Sequence, residues 1–111
     1  MSEDKVIEAM VLDKKANVAP RVTVEEVDAA FSRIKYITVH RPGDTTSTFV
    51  HAYLDGDFYL ASGHSACVSA DNYNPEIGER IAKGKAECAA RDKLWELMGY
   101  SLRAKLKEAV H

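Results

Sequence analysis

The sequence has few cysteines and no long apolar runs, and each shortage excludes a class of protein. Its two cysteines, Cys67 and Cys88, lie far apart in a chain of 111 residues, so they offer neither a disulfide framework nor a pattern of metal ligands. No apolar run approaches the roughly 20 residues that span a bilayer, and the acidic N-terminus lacks the features of a secretory signal. We therefore expect reduced thiols, no metal site, no membrane segment and a cytoplasmic location.

The sequence also lacks an excess of positive charge. The 15 lysines and arginines are outnumbered by 17 aspartates and glutamates, which gives a formal net charge of −2. Proteins that coat nucleic acids need a basic excess to neutralise phosphates, so the composition argues against nucleic acid as the partner. The composition is still compatible with a small anionic ligand bound by a few local cations.

The length fits one domain preceded by a short arm. Residues 3–12 place Val6, Ile7, Met10 and Val11 on one side of an amphipathic helix. The run "DKKANVAP" then interrupts the helical pattern. We expect a helical arm over residues 1–20 and a single α+β domain over residues 21–111.

The domain begins with a helix and continues with strands. The run "TVEE" is a capping box that starts a helix at Thr23, and this helix should end near Arg33. The runs "IKYITVHR", "TFVHAYL" and "DFYLAS" read as three antiparallel strands, with Asp55-Gly56 as the pair favoured in a type I′ hairpin. Alternation should direct the aliphatic face of the second strand toward the helices. Its aromatic face would be half solvated or covered by a partner.

A long helix over about residues 75–98 should follow the strands. Asn74 and Pro75 form a typical start, and Gly99 is a suitable residue to end it, with a last helix after it. The predicted order is α-α-β-β-β-α-α. Gly84 and its neighbouring alanines make this helix slim, as if for close approach by another chain or a ligand. Its predicted apolar stripe consists of Ile77, Ile81, Gly84, Cys88, Trp95 and Met98.

Candidate catalytic groups are few. Cys67 with His51 or His64 is a conceivable nucleophile and base, yet Cys67 lies in an apolar run without a helix start directly behind it. No two histidines have the i, i+4 spacing of a helical zinc site, and no Walker-type glycine loop occurs. We therefore expect a protein that is not an enzyme and uses no cofactor.

The bend before the long helix carries the best candidate binding residues. A tyrosine ring, two amides and nearby cations are the groups that a nucleotide pocket uses. The predicted ligand-binding residues are Asn72, Tyr73, Asn74, Arg80, Lys83 and Arg103.

A helix, three antiparallel strands and a lysine- and alanine-rich final helix also suggest a double-stranded RNA-binding domain. Against this alternative, the bend "DNYNPEIGE" moves the lysines of "KGK" about two turns away from the helix start, where they would meet phosphates. An accessory role in host takeover, through a protein partner or structured RNA, is the corresponding functional alternative.

The runs "GHSACV", "NYNPEIGERIA" and "KLWELMGYSL" resemble the shared core of a family of small phage and prophage proteins that includes the Thoeris anti-defence protein 1 sponges. The resemblance covers about residues 21–103. It implies a non-enzymatic protein of the infected bacterial cytoplasm that captures cyclic ADP-ribose isomers, or cyclic oligonucleotides, as a dimer or higher oligomer. Tyr73 stands at the position of a family phenylalanine, whereas Lys83, Gly84 and Lys85 depart from the tyrosine, glutamate and asparagine common there.

Overall fold

The computed structural model describes residues 20–110, with side chains described through residue 108. Its elements are α1 (Val24–Phe31), β1 (Ile34–His40), β2 (Ser47–Leu54), β3 (Phe58–Ala66) and α2 (Pro75–Val110). The α+β class, with a three-stranded antiparallel meander and a long C-terminal helix, is confirmed. The helix predicted over residues 3–12 lies outside the described residues. Neither described helix is apolar enough over a sufficient length to cross a membrane.

The capping box at the start of α1 is confirmed. The Glu26 amide donates to Thr23 Oγ1 at 3.1 Å, and the Thr23 amide donates to Glu26 Oε1 at 3.3 Å. Both bonds satisfy amides that have no partner within a helix. The helix ends at Phe31, slightly before the predicted end near Arg33. Its buried residue Val27 joins Leu60 and Leu94 in one cluster of the hydrophobic core.

The sheet has the order β1-β2-β3, with both pairs antiparallel. Asp55 and Gly56 adopt the positive φ values of 56° and 91° that the hairpin prediction requires. The register pairs Leu54 with Phe58, so three residues connect the strands instead of two. A register shift farther along leaves Leu60 as an extra residue in β3, and this leucine is only 3% exposed.

One expected boundary in the last helix is wrong. We expected Gly99 to end a helix, but α2 continues through it to Val110. A glycine inside a helix costs only about 1 kcal/mol relative to alanine. The following run "SLRAKLKEAV" is rich in good helix formers, so hydrogen bonding continues past the glycine.

The buried side of α2 also differs from the predicted stripe. Ala82, Ala86 and Leu94 are at most 1% exposed, whereas Ile77 and Ile81 are each 47% exposed. Small residues therefore face the sheet, and the isoleucines lie at its margin. The reason lies in β3, where a Cβ on Gly63 would overlap the Ala82 carbonyl oxygen and lie 2.6 Å from the Ala86 amide nitrogen.

The close approach of α2 is therefore to its own sheet. At Gly84, by contrast, an added Cβ would have no neighbouring atom within 4 Å. Within the described chain, the small residues Ala82 and Ala86 allow the helix to pack closely against Gly63, and Gly84 makes no such contact.

Candidate functional site

A cavity of about 200 Å³ lies between the end of β3, the bend at residues 70–74 and the first turns of α2. Hydroxyl and amide groups form its polar walls, and two half-exposed isoleucines border it. None of the described residues that line it carries a formal charge. Its lining includes Thr48, Ser65, Asn72, Asn74, Ile77 and Ile81.

Asn74 sets the direction of the helix beside the cavity. Its side-chain oxygen accepts hydrogen bonds from the amides of Glu76 at 3.0 Å and Ile77 at 3.1 Å, and Pro75 is the first helical residue. The predicted cap is confirmed. This capping bond occupies the side-chain oxygen of Asn74.

Tyr73 lines the cavity, and its hydroxyl takes part in two hydrogen bonds. Thr48 Oγ1 lies 2.9 Å away and His40 Nδ1 lies 3.0 Å away. His40 Nε2 in turn lies 3.6 Å from Glu79 Oε1, and Thr38 donates to the other Glu79 oxygen at 3.2 Å. Groups from β1, β2 and α2 thus fix the position of the phenol ring.

A cation that the sequence reasoning missed lies beside Tyr73. The guanidinium of Arg41 is 5.5 Å from the centre of the Tyr73 ring, within the range of a cation–π contact. Arg41 has a left-handed backbone with φ of 48°, and its Nε donates to the Thr45 carbonyl at 2.8 Å. The short loop after β1 therefore folds back and presents this charge. No local motif in the sequence predicts a contact between Arg41 and Tyr73.

The predicted site residues fall into two groups. Asn72, Tyr73 and Asn74 lie together at the cavity, while Arg80, Lys83 and Arg103 do not line it. Arg80 comes two positions after the cavity residue Gly78, and successive helical residues are about 100° apart around the axis. Arg80 therefore lies on the side of the helix away from the cavity.

The other two cations are farther away. Lys83 Nζ lies 5.1 Å from the centre of the Tyr36 ring, on the β1 side of α2. Arg103 is 25 positions after Gly78, which corresponds to about 37 Å along the helix. The three predicted residues of the bend therefore lie together at the cavity. The three cations predicted to bind the same ligand lie elsewhere on the helix.

Two glycine-containing runs meet at the floor of this cavity. Ser65 Oγ donates to the Gly78 carbonyl at 2.7 Å, and a Cβ on Gly78 would lie 2.8 Å from Thr48 Oγ1.

Residues 22–106 match the model of the phage protein (N4 Gp49/phage Sf6 gene 66) family. The chain belongs to this family. No curated protein and no solved structure shows a significant match. In this phage protein, the runs "GHSACV" and "NYNPEIGERIA" are joined through the bond between Ser65 and Gly78.

The conceivable Cys67–histidine pair does not form among the described residues of this phage protein. Phe49 stacks on His51 and His64, with ring centres 6.1 and 4.6 Å apart, on the sheet face away from α2. His51 Nδ1 lies 2.6 Å from Ser62 Oγ. The thiol of Cys67 instead donates to the Ser69 carbonyl at 3.0 Å. Within residues 20–110 no group of three or more His, Cys, Asp or Glu side chains could hold a metal ion.

Proposed function

We propose that this phage protein binds a cyclic nucleotide immune signal without cleaving it, and so removes the signal from a bacterial defence system. The observation that carries the proposal is the cavity at Tyr73, with an aromatic ring fixed by hydrogen bonds, neutral polar walls and one adjacent guanidinium. Cyclic ADP-ribose isomers are the ligand class that the family resemblance favours, and cyclic oligonucleotides are the next.

The distribution of charge suggests how such a ligand is oriented. Neutral hydroxyls and amides, such as those of Thr48, Ser65 and Asn72, suit the hydrogen-bonding edges of a base or a ribose. Phosphate oxygens are bound favourably by cations, and a guanidinium can bind them through two parallel hydrogen bonds. In this proposal the base or ribose enters the cavity beside Tyr73, and the phosphates remain outside at Arg41.

The size of the cavity favours an oligomer. About 200 Å³ is smaller than the roughly 300–1,000 Å³ of a typical small-molecule site, so part of a cyclic nucleotide would project from it. Two apolar side chains of its lining, those of Ile77 and Ile81, are each 47% exposed, and Val68, next in sequence to the lining residue Cys67, is fully exposed. In this proposal a second copy covers these side chains and the projecting part of the ligand, as a dimer or higher oligomer in the cytoplasm of the infected host.

Binding without reaction is consistent with how the reactive groups are occupied. The thiol of Cys67 donates to a backbone carbonyl, and the imidazole of His40 is hydrogen-bonded to the Tyr73 hydroxyl, which also contacts Thr48. A nucleophile needs an adjacent base to become activated. The proposed ligand should therefore be recovered unchanged from the denatured protein.

The test is a capture experiment with purified protein. The full chain is incubated separately with cyclic ADP-ribose isomers and with cyclic dinucleotides, free ligand is removed by filtration, and the protein is denatured by heat. Chromatography with mass detection should then find intact ligand in the released fraction. A failure to deplete any of these nucleotides would refute the proposal, and a shortened or linearised product would refute the non-enzymatic part of it.

Two variants with the same charge change locate the site. Arg41→Gln should lower the affinity by about tenfold or more, since one charge-assisted contact to phosphate contributes about 1.5–3 kcal/mol. Arg103→Gln removes an equal charge far from the cavity and should leave the affinity unchanged. Equal losses in both variants would show that the effect is general electrostatics and not the Tyr73 cavity.

The alternative role in binding double-stranded RNA has weaker support in the geometry. The two lysines after the bend are engaged within the chain: Lys83 lies over the Tyr36 ring, and Lys85 Nζ donates to the His64 carbonyl at 3.0 Å. Glu76 occupies the first turn of α2, where an RNA phosphate would be repelled. A gel shift with duplex RNA should show no retarded band at physiological salt, and a retarded band would favour this alternative.

A further inference from the structure

The C-terminal part of α2 extends beyond the core of the domain. Its 36 residues correspond to about 54 Å, whereas the nine residues of β3 span about 30 Å. Leu94 is the last residue of α2, among those with described side chains, that is fully buried. Residues 95–110 make up a little over four turns, so the helix projects past the sheet.

An apolar ridge continues along these projecting turns. Met98, Leu102 and Leu106 follow Leu94 at intervals of four residues, so each lies within about 40° of the one before it and the three share one side of the helix. Met98 still packs against the core. Met98 and Leu102 are half-buried, and Leu106 is 38% exposed. Together with Val22 and Lys105, the first two line a shallow groove of about 170 Å³.

The chain enters the domain at this groove. Arg21 and Val22 lie in its wall, so the described part of the chain, which starts at Pro20, begins directly beside the ridge. Residues 13–20 can span up to about 26 Å when extended, whereas Leu102 and Leu106 are only about 6 Å apart along the helix. A helix over residues 3–12 can therefore reach every position of the ridge.

The two segments are complementary in polarity and in charge. Residues 1–13 contain four carboxylates and one lysine, while residues 101–108 contain three cations and one carboxylate. An isolated helix of about ten residues is marginal in water and needs an apolar surface to pack against. The predicted apolar side of the arm, with Val6, Ile7, Met10 and Val11, matches a ridge of similar length.

We propose that residues 3–12 form a helix that packs, within the same chain, on the ridge of Met98, Leu102 and Leu106. Opposite charges on the two segments, including Arg103 and Lys107 on α2, then flank the apolar contact. This arrangement assigns Arg103 to the attachment of the arm, at a distance from the Tyr73 cavity.

Hydrogen–deuterium exchange of the full chain tests the contact. Met10→Asp should speed exchange of the amides of residues 101–108 by about tenfold, the effect of losing roughly 1.4 kcal/mol of local stability. Ala9→Asp introduces the same charge outside the predicted apolar side and should leave these rates unchanged. On the other partner, Leu106→Gln should speed exchange in residues 4–12, and Tyr100→Gln, off the ridge, should not. Unchanged rates in both Met10→Asp and Leu106→Gln would overturn the proposal, as would equal effects of the controls.

A disulfide experiment distinguishes packing within one chain from exchange between two. In a Cys88→Ser background, the pair Met10→Cys and Leu106→Cys should oxidise to a product of monomer mass, with the 10–106 linkage identified by peptide mapping. A covalent dimer with that linkage as the main product at low protein concentration would overturn the proposal, because the arm would then belong to a second copy. Failure of the two cysteines to oxidise would also contradict it.

Discussion

Gly63 of β3 lies against the backbone of Ala82 in α2 so closely that a Cβ on Gly63 would overlap the Ala82 carbonyl oxygen. This contact determines how near the helix approaches the sheet, and thereby which side of the helix is buried. It also fixes the first turns of α2 relative to β2, where Gly78 faces Thr48 at the cavity.

The first prediction concerns this contact. Gly63→Ala should lower the free energy of unfolding by about 2 kcal/mol or more, because overpacking against rigid backbone typically costs 1–3 kcal/mol. Gly84→Ala is the matched control: nothing lies within 4 Å of its added Cβ, so helix propensity should raise stability by up to about 1 kcal/mol. Urea unfolding of both variants measures the difference. Equal behaviour of the two variants would contradict the packing described.

The second prediction separates the hydroxyl of Tyr73 from its ring. Tyr73→Phe removes the bonds to Thr48 and His40 and should cost about 1 kcal/mol of stability. The variant keeps the ring. If stacking on this ring is the main contribution to binding, the amount of ligand that the variant captures should stay within about threefold of the amount captured by the unmodified protein. Tyr100→Phe, at a residue that is 66% exposed, is the control and should change neither quantity. A complete loss of capture in Tyr73→Phe would show that the hydroxyl itself contacts the ligand.

The third prediction separates the two asparagines of the bend. Asn74→Ala removes the oxygen that accepts from Glu76 and Ile77 and should lower the melting temperature, with a loss of about 1 kcal/mol. Asn72→Ala should leave stability nearly unchanged but reduce ligand capture, since Asn72 lines the cavity without capping the helix. Thermal unfolding and the capture experiment, run on both variants, check the two expectations. The reverse pattern would exchange the roles assigned to these residues.

The fourth prediction concerns Tyr36. Burial, and secondarily the nearby Glu87 carboxylate, raises the pKa of this phenol above its usual 10.0. Its buried hydroxyl has no hydrogen-bond partner in the part of the chain that the structure describes. The folded protein retains the proton more tightly than the unfolded chain, so this group should lower stability as the pH rises above about 10.

Tyr36→Phe tests this expectation by urea unfolding between pH 7 and 11. At pH 7 the variant should be as stable as the original or more stable by up to about 1 kcal/mol, because no hydrogen bond is lost and a desolvated hydroxyl is removed. Above pH 10 its stability should decline less steeply. A clear loss of stability at pH 7 would instead reveal a partner for the hydroxyl.

Local signals in the sequence were sufficient for the elements themselves. The capping box of Thr23 and Glu26, the helix start at Asn74 and Pro75, and the positive φ of Gly56 each depend on residues within a few positions of one another. For that reason the strands, the hairpin and the family resemblance could be recognised before any fold was known. Asn72, Tyr73 and Asn74 were placed together for the same reason, since they are consecutive.

The tertiary structure alone decided which side of α2 is buried and which cation lies beside Tyr73. Hydrophobicity favours a buried stripe with Ile77 and Ile81, yet the close approach at Gly63 buries Ala82 and Ala86 instead. Gly63 is 19 residues before Ala82. Arg41, on the loop after β1, is 32 residues before Tyr73 and meets it only because β1, β2 and α2 converge there. The sequence by itself thus determined the segments and the capped starts of the two helices, where hydrogen bonds are local. Packing between distant segments determined the cavity and its charge, because steric fit depends on atoms that no local pattern relates.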